Sequence, residues 1–403
     1  MIQKLGKWID DRLPVSHFWN AHLAKYYVPK NFNFWYYFGS ILLAVFAIQI
    51  VTGIWLAMNY KPSAAEAFNS VEYIMRDVNW GWLIRYMHST GASFFFIAVY
   101  LHMFRGLMYG SYKKPRELIW IFGVLILLTL MAEAFMGYLL PWGQMSFWGA
   151  QVIISLFGSI PYIGPDLALW IRGDYVVSDV TLNRFFALHV IALPLVLLFL
   201  IGGHIMALHE VGSNNPDGVE IKTNKDEHGK PQDGIPFHPY YTVKDLFGLS
   251  VFLFLFAAVI FYWPDGGGKF LEAPNFIPAD PLKTPEHIAP VWYFAPHYAI
   301  LRAIPDKFLG VMAMGSAILI LFFLPWLDRN AVKSIRYRSL AFKVVLFSFI
   351  VAFLGLGYLG TQPVTYWNTL FSRIFAFIYF GFFVALFLVS KFETTKPVPE
   401  RVK

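Results

Sequence analysis

Eight long apolar stretches constrain the fold of this 403-residue chain more than any other feature of its sequence. Each is about 20 residues long, the length that a helix needs to cross the hydrocarbon core of a bilayer. Because backbone polar groups find no water there, each stretch is expected to be helical. The composition agrees, since 57% of the residues are hydrophobic and only 14% are charged. The sequence therefore predicts an all-α integral membrane protein whose spanning helices, α1 to α8, cover 38–59, 85–108, 118–140, 184–208, 246–264, 308–326, 341–361 and 369–390.

Composition also excludes several kinds of centre. The chain contains no cysteine, so it cannot itself carry a disulfide, a thiolate-held iron–sulfur cluster or a thioether-linked haem. Any such centre must belong to a partner. The formal net charge of +7 is explained by the distribution of basic residues around the membrane, so we expect no binding to nucleic acid.

Basic residues predict the orientation of the helices. Of the 32 lysines and arginines, 22 lie at or beside the two termini and the α2–α3, α4–α5 and α6–α7 connections, and 10 lie at the other connections. Since basic residues favour the cytoplasmic side of a membrane, we expect both termini in the cytoplasm and lipids around the bundle. Helices α2 and α4 then run in the same direction.

Four histidines lie inside these apolar runs at nearly equal intervals. His88 and His102 are fourteen residues apart in α2, and His189 and His204 are fifteen apart in α4. Fourteen residues of helix rise about 21 Å and return to nearly the same face. An ionisable residue at membrane depth is costly and is functional by default. We therefore expect two bis-histidine haems stacked across the bilayer, with His88 opposite His189 and His102 opposite His204.

Glycines repeat the same interval on the neighbouring helices. Gly39 and Gly53 are fourteen residues apart in α1, and Gly123 and Gly137 are fourteen apart in α3. A glycine has no side chain to keep a flat porphyrin away from the helix backbone. Close helix packing alone could explain a single pair. The recurrence of the interval over four helices favours the haem interpretation.

The fifteen-residue interval in α4 departs from the regular pattern. One extra residue turns a straight helix past the common face by about 60° over the whole interval. Pro194, between the two histidines, lacks the N–H of a regular helix and permits a local distortion. We expect this distortion to accommodate the extra residue.

The connections differ in character along the chain. The α3–α4 connection is aromatic after Pro141 and is expected to form short helices at the membrane surface. The proline- and glycine-rich α5–α6 connection predicts a structured loop with one or two short helical turns. The predicted organisation is an amphipathic, interfacial segment at 1–37, a di-haem four-helix bundle at 38–210, a cytoplasmic loop at 211–245, a C-terminal four-helix part at 246–390 and a cytoplasmic tail at 391–403.

Five motifs, spread along the chain, are distinctive. They are Gly81–His88, Phe135–Ala150, Arg184–His189, His209–Pro216 and Pro236–Asp245. With them the chain resembles the cytochrome b family of the ubiquinol–cytochrome c oxidoreductases, respiratory complex III, over essentially its whole length. Eight helices on one chain resemble the respiratory, bacterial type, which implies a multi-pass protein of the bacterial cytoplasmic (inner) membrane.

The resemblance implies a Q cycle coupled to proton translocation. Ubiquinol is oxidised on the positive side, electrons pass through two b haems, and quinone is reduced on the negative side. The implied ligands are His88 and His189 for the low-potential haem and His102 and His204 for the high-potential haem. The implied partners are a Rieske iron–sulfur protein, a membrane-anchored c-type cytochrome and a second copy of the complex in a homodimer.

The resemblance also implies site residues around these cofactors. Arginines near the histidines are favoured as candidates to neutralise haem propionates, the alternative being that they extend to the membrane surface; they are Arg85, Arg105 and Arg184. Asp245 could instead be a favourable charge at a helix start, and Lys244 a basic surface residue. The negative-side quinone site would comprise Ser40, His209, Ser213, Lys244 and Asp245. The positive-side quinol site would be lined by Phe135, Tyr138, Gly149, Pro290, Val291, Trp292, Tyr293 and Tyr298.

One position departs from the family pattern. Pro290-Val-Trp-Tyr293 stands where relatives commonly have Pro-Glu-Trp-Tyr, and Val291 cannot accept a proton. Two carboxylates are candidates to compensate. Glu133 lies inside apolar α3, where a carboxylate is expected to face the pocket, whereas Glu286 lies in a loop and could be an ordinary solvated charge. Of the two we favour Glu133.

Two other function classes compete with this interpretation. A haem-b anchor could pass quinol electrons to another dehydrogenase or oxidase, or a proton-coupled secondary transporter could use the buried histidines as a relay. The two quinone sites argue against the first alternative. The glycine intervals have no use in the second.

Overall fold

The computed structural model describes residues 2–403. Within that part of the chain, eight helices are long and apolar enough to span a membrane, as predicted, and they differ from the predicted ranges only at their ends. The longest extension is at α5, which begins nine residues earlier than expected. The helices are α1 Phe34–Ala57, α2 Gly81–Tyr109, α3 Glu117–Leu139, α4 Asp179–Val211, α5 Phe237–Tyr262, α6 Lys307–Leu327, α7 Leu340–Gly360 and α8 Tyr366–Phe392.

Helix α4 contains a local change of winding at the predicted place. It is α-helical over Asp179–Ala187, becomes a π-type turn over Leu188–Ala192, and is α-helical again over Leu193–Val211. The Leu193 N–H donates to the Leu188 carbonyl, five residues back. Such a turn holds one residue more than a regular helical turn. Pro194, which follows directly, has no N–H to donate to Val190. The fifteenth residue between His189 and His204 is thus accommodated in this turn.

Short elements fill the connections, including those expected between α3 and α4 and between α5 and α6. The chain begins with the helix Ile2–Asp10, inside the predicted interfacial segment. Strands Tyr27–Pro29 and Gly234–Pro236 pair antiparallel, with Tyr27 opposite Pro236, and so attach the N-terminal segment to the α4–α5 connection. The remaining short helices and turns are Val15–Trp19, Asn20–Ala24, Ala67–Arg76, Gln144–Phe157, Gly164–Arg172, Ala273–Phe276 and Ala295–Ala303.

The spanning helices pack in neighbouring pairs. Helix α1 packs along α2, α3 along α4, and α7 along α8, while the short helix Ala295–Ala303 fits between α7 and α8. Their outward faces remain strongly apolar; Phe199 and Phe254, for example, are 76% and 73% exposed. A continuous apolar exterior of this kind suits lipid and not water. The chain is a multi-pass membrane protein.

A buried ionic cluster joins the ends of α6, α7 and α8. Arg338 is fully buried and pairs with Asp328 at 2.9 Å and Glu393 at 2.5 Å. Lys113, from the α2–α3 connection, contacts Asp328 at 2.7 Å. Tyr112 donates a further hydrogen bond to Asp328. We call these five residues the Arg338 cluster. Its two positive and two negative charges compensate one another away from water, and its members come from both halves of the chain, which it therefore joins.

Candidate functional site

The four histidines form two facing pairs at two levels of the α1–α4 bundle. The ring centroids of His88 and His189 are 6.1 Å apart, and those of His102 and His204 are 6.3 Å apart. Two imidazoles bound to opposite faces of one metal ion, with bonds of about 2 Å, have centroids about 6 Å apart. Both separations therefore fit one iron between each pair.

Each of the four interval glycines faces one of these histidines. A Cβ atom added at Gly137 would lie 2.4 Å from Cε1 of His189, and one at Gly53 would lie 3.0 Å from Cε1 of His88. At the other level the distances are 3.7 Å, from Gly39 to His102 and from Gly123 to His204. A side chain at any of them would occupy the space beside the histidine ring. The glycines thus keep open a flat space beside each pair.

The Nδ1 atoms of His88 and His189 have partners that orient the rings. Thr52 Oγ1 lies 3.0 Å from Nδ1 of His88. The backbone carbonyl of Glu133 lies 2.9 Å from Nδ1 of His189, and the Glu133 carboxylate lies 3.0 Å from the same atom. An acceptor at Nδ1 favours the tautomer with the proton there and leaves Nε2 free to bind iron.

The second pair is less constrained by hydrogen bonds. Nδ1 of His102 and Nδ1 of His204 are buried and lack a hydrogen-bond partner within residues 2–403. A neutral imidazole that keeps its proton on Nδ1 presents Nε2 as the nitrogen that can ligate a metal. Both pairs fit a haem.

A cavity of about 1,000 Å³ opens around the His88–His189 pair. Its lining is mostly apolar and includes Gly53 and Gly137. The cavity continues from the histidines to Tyr138 of α3 and to Tyr293 of the α5–α6 connection. One continuous space can therefore hold a flat macrocycle and, next to it, a second planar molecule.

The three candidate propionate-binding arginines occupy different settings. Arg85 lines the cavity. Arg105 donates to Ser111 Oγ at 3.1 Å, lies over the Tyr36 ring and keeps a buried Nε without a partner in the described residues. Arg184 is exposed and donates to the Trp170 carbonyl at 2.7 Å, away from the cavity lining. Arg85 and Arg105 are better placed for a buried anion than Arg184.

Of the predicted positive-side residues, Tyr138, Val291 and Tyr293 line the far end of the cavity, and the others lie outside its lining. Tyr293 stacks on Phe96 with centroids 4.0 Å apart, and its carbonyl accepts a hydrogen bond from Tyr100. Trp292 donates to Ser93 Oγ at 3.0 Å. Gly149 approaches Tyr138, because an added Cβ would lie 3.4 Å from its ring. Other predicted members pack nearby: Phe135 against Phe185, Tyr298 beneath Arg302, Pro290 beside the buried Val291.

Of the two compensating carboxylates, only Glu133 lines the cavity. Its Oε1 contacts His189, whereas its Oε2 is buried without a partner in the described residues. Glu286 is exposed in the α5–α6 connection. Val291 is 4% exposed and contributes only apolar surface to the cavity.

Sequence reasoning missed a third carboxylate, Glu272. Tyr138 Oη donates to Glu272 Oε2 at 3.1 Å, and Asn275 Nδ2 donates to the same oxygen at 3.4 Å. Glu272 lines the same cavity as Glu133 and Val291. Burial raises the pKa of its carboxyl to about 7. The only feature of the sequence that could have pointed to Glu272 is that it is the single acidic residue in Phe270-Leu-Glu-Ala-Pro274, which lies between a glycine-rich turn and several prolines.

At the other level, the predicted quinone-site residues lie where α1, α4 and α5 meet the N-terminal segment. His209 stacks on Tyr26 at 4.3 Å, and its Nδ1 lies 3.3 Å from Nδ1 of His22. His22 carried no signal in the sequence, because it lies in an ordinary polar segment. The other predicted members contact nearby groups: Ser40 donates to the Tyr37 carbonyl, Lys244 lies over Tyr241, Ser213 lies near Tyr26, and Asp245 begins the α-helical part of α5 near Ser40.

Comparison with known families covers both halves of the chain. Residues 23–212 match the family model "Cytochrome b/b6/petB", and residues 278–380 match "Cytochrome b(C-terminal)/b6/petD". The chain is 61% identical to a cytochrome b of Allochromatium vinosum, over 98% of this chain and 97% of that protein. It is 51% identical to a cytochrome b of Rickettsia bellii, over 98% and 96%.

Two further relatives extend the comparison. A protein of Bradyrhizobium diazoefficiens named cytochrome b/c1 is 50% identical over 98% of this chain and 56% of its own length. Among solved structures, a chain of a hyperthermophilic respiratory complex III superposes with a TM-score of 0.89 at 43% identity, covering 96% of this chain and 98% of that one.

Proposed function

This chain belongs to the cytochrome b family, so it is the core subunit of a quinol–cytochrome c oxidoreductase, and we propose how its residues divide that work. Family membership implies binding of haem b and quinone within a multisubunit membrane complex. In our assignment His88 and His189 ligate the low-potential haem, and His102 and His204 the high-potential haem. The observation that carries it is the two pairs at 6.1 and 6.3 Å, each beside glycines that keep the space flat.

The protein's own contribution at the haems is positioning. When bound, the haems supply reversible one-electron transfer across the membrane. Thr52 and Glu133 hold the Nδ1 sides of the positive-side histidines, and the apolar helices exclude water from the pocket. Arg85 and Arg105 supply positive charge for propionates at the two levels.

Quinol is bound and oxidised at the Tyr138–Tyr293 end of the cavity. Aromatic side chains from α3 and the α5–α6 connection provide a slot for a planar ring. Two electrons and two protons leave the quinol. One electron would go to a Rieske iron–sulfur partner, and the other to the haem that His88 and His189 would hold. The protons are released on the positive side.

Quinone is reduced on the opposite side, between His209 and Asp245. A histidine and a carboxylate at the two ends of a quinone can each deliver a proton to one carbonyl oxygen. The structure adds His22 to this group, because it contacts His209 directly. Proton uptake here and release at the other site give net translocation, the Q cycle.

Orientation and partners follow from the same assignment. The excess of basic residues at the termini and at the α2–α3, α4–α5 and α6–α7 connections supports cytoplasmic termini. The Bradyrhizobium relative carries both names, b and c1, on one chain, which supports a membrane-anchored c-type cytochrome as partner. The complex is assigned as a homodimer in the bacterial cytoplasmic membrane.

A redox-titrated visible spectrum tests the haem assignment. The purified complex is expected to show two low-spin b haems with separate midpoint potentials. His204→Leu should remove the higher-potential component and keep the other, whereas His189→Leu should remove the lower one. A wild-type spectrum with fewer than two b haems, in a folded preparation, would contradict the assignment.

A further inference from the structure

The quinol pocket lacks a carboxylate at the position where the family commonly has one, and the structure holds another carboxylate in the same space. Val291 is buried and faces the cavity with an apolar side chain. Glu272 lies in the same α5–α6 connection, nineteen residues earlier, and lines the same cavity. The α5–α6 connection folds so that a group distant in sequence reaches the pocket.

The backbone that carries Glu272 is firmly docked. Asn275, three residues later, accepts a hydrogen bond from the Ser146 N–H at 2.7 Å. The Gln144 N–H donates to the Ile277 carbonyl at 3.1 Å. A Cβ at Gly143 would lie 2.8 Å from the Asn275 Cα, so only glycine allows this close approach. The turn Ala273–Phe276 is therefore fixed against the start of the helix Gln144–Phe157.

The Glu272 side chain is aimed by a small hydrogen-bond network. Tyr138 Oη and Asn275 Nδ2 both donate to Oε2, and Asn275 Nδ2 also lies 3.0 Å from Tyr138 Oη. Tyr138 is itself a lining residue of the quinol pocket. The carboxylate is thus oriented by a residue on the pocket wall, while Ala273, next in sequence, is exposed. Glu272 itself is half-buried.

Resting on the function proposed above, we propose that Glu272 is the catalytic carboxylate that accepts one proton from quinol in the positive-side pocket. The quinol O–H bond breaks, and the proton forms a new O–H bond on Glu272. The electron pair of that bond stays on the quinol oxygen, and the quinol then gives its two electrons, one at a time, to the two acceptors of the function proposed above. Glu272 then releases the proton to water on the positive side. The second quinol proton leaves separately.

Glu272 suits this step better than the other two carboxylates. Glu133 already contacts a candidate haem ligand, and Glu286 is exposed. A carboxylate whose pKa lies near neutral pH is an efficient proton acceptor, and burial raises the pKa of Glu272 to about 7. The other titratable or charged groups lining the cavity are Tyr60, Arg85, Tyr86, His88, Glu133, Tyr138, His189 and Tyr293, together with Glu72 and Arg76 of the short helix Ala67–Arg76.

The test uses the intact purified complex and four variants. Glu272→Gln removes the acid with little change in shape, and Glu272→Asp keeps it. Glu272→Gln combined with Val291→Glu moves the carboxylate to the usual position. Glu66→Gln is the matched control, because Glu66 is exposed on the same side and pairs only with Lys61.

In each variant, the rate at which quinol reduces the haems is measured between pH 5 and 9, together with the haem spectrum and the affinity of a stigmatellin-type inhibitor. Glu272→Gln should slow the reaction on the order of 100-fold and lose the rise in rate with pH near neutrality. Its haem spectrum should stay unchanged. Glu272→Asp should retain part of the rate, and the combined variant should recover part of it. Glu66→Gln should match the wild type.

An infrared readout is independent of turnover. Binding of a quinone analogue should perturb a carboxyl C=O band that is missing in Glu272→Gln and retained in Glu66→Gln. A Glu272→Gln complex with a rate within about threefold of wild type and an unchanged pH profile would overturn the proposal. So would an equal loss of rate at every pH with loss of inhibitor binding, since that would mark a structural role. A wild-type complex without inhibitor-sensitive quinol oxidation would instead refute the proposed function on which this rests.

Discussion

At the scale of single residues, the two histidine pairs are held differently. Nδ1 of His189 contacts both the backbone and the carboxylate of Glu133, whereas Nδ1 of His102 and of His204 has no partner in the described residues. A carboxylate behind a metal-bound histidine raises its basicity and stabilises the oxidised metal. If the two haems bind as proposed, this asymmetry would give them unequal potentials.

Glu133→Gln should therefore raise the midpoint potential of one haem only. The amide keeps the shape but removes the acidic group beside His189, and we expect an upward shift of the midpoint potential on the order of 60 mV. Potentiometric titration of the purified complex measures it. The haem between His102 and His204 is the internal control, and equal shifts in both haems would contradict a local effect.

The glycines beside the histidines allow a second test. A Cβ at Gly137 would lie 2.4 Å from Cε1 of His189, and in the proposed assignment an iron ligand at His189 could not move aside. Gly137→Ala should therefore lower the haem content to about one haem per chain, because one of the two sites is blocked. Haem extraction against protein concentration measures this. Gly202→Ala is the matched control in α4, since nothing lies within 4 Å of its added Cβ.

At the scale of elements, the π-type turn Leu188–Ala192 accommodates the fifteen-residue interval between His189 and His204, so that each still faces its partner histidine in α2. Its place next to Pro194 has a direct cause in the missing N–H. The aligned faces of α1 and α3 need no such device, because their glycines are fourteen residues apart. One helix thus carries the irregularity, and its neighbours remain regular.

Deleting Ile191 should be tolerated, because it removes the extra residue where the π-type turn holds it. Deleting Phe199 shortens the interval between His189 and His204 by the same one residue. For both histidines to keep their positions, the residues between the π-type turn and the deletion must rotate by about 100°, which exposes buried Leu197. We expect two haems after the first deletion and loss of haem and thermal stability after the second. Haem content and a thermal melt in detergent compare them.

At the scale of the whole molecule, the Arg338 cluster and the α4–α5 connection join the two halves. Arg116 pairs with Glu220, which also contacts Lys333 of the α6–α7 connection. Burial alone would raise the pKa of Glu220, but its hydrogen bonds and charge pairing with Arg116 and Lys333 lower it to about 2. These contacts hold the side of the molecule opposite the quinol cavity.

Removing the central arginine should be costly. Arg338→Ala leaves the buried carboxylates of Asp328 and Glu393 without their main partner, which costs about 3–5 kcal/mol. The thermal midpoint of the complex in detergent should fall. Arg336→Ala, whose side chain is 47% exposed and pairs with Asp217, is the control and should cost about 0–1 kcal/mol.

Acid should loosen the same region in a defined window. Because the pKa of Glu220 in the folded chain is about 2, below its ordinary value, its ion pairs stabilise fully above about pH 4.3 and are lost as the pH falls to about 2. Cleavage of the 212–233 connection by an acid-active protease should rise over this range. Glu220→Gln should be cleaved faster than wild type above pH 4.3, and the difference should vanish near pH 2.

The sequence alone determined two features of the architecture. Hydropathy predicted the spanning helices, and the spacing of the four histidines and of Gly39, Gly53, Gly123 and Gly137 predicted the two facing pairs. Spanning helices follow from local composition, because lipid leaves the backbone no other state over that length. The intervals of fourteen and fifteen residues also predicted which histidines face each other, since helical periodicity maps sequence distance onto a face. For these reasons the positions of α1 to α8 and the facing of His88 with His189 were predictable from the order of residues along the chain.

The tertiary structure alone decided which side chains gather around those pairs. Glu272 reaches Tyr138 because the turn Ala273–Phe276 docks near Gly143, and His22 meets His209 because the N-terminal segment folds back. These contacts join residues separated by 134 and 187 positions. Periodicity acts within one helix, whereas the paths of irregular connections depend on packing and hydrogen bonds formed only in the folded chain.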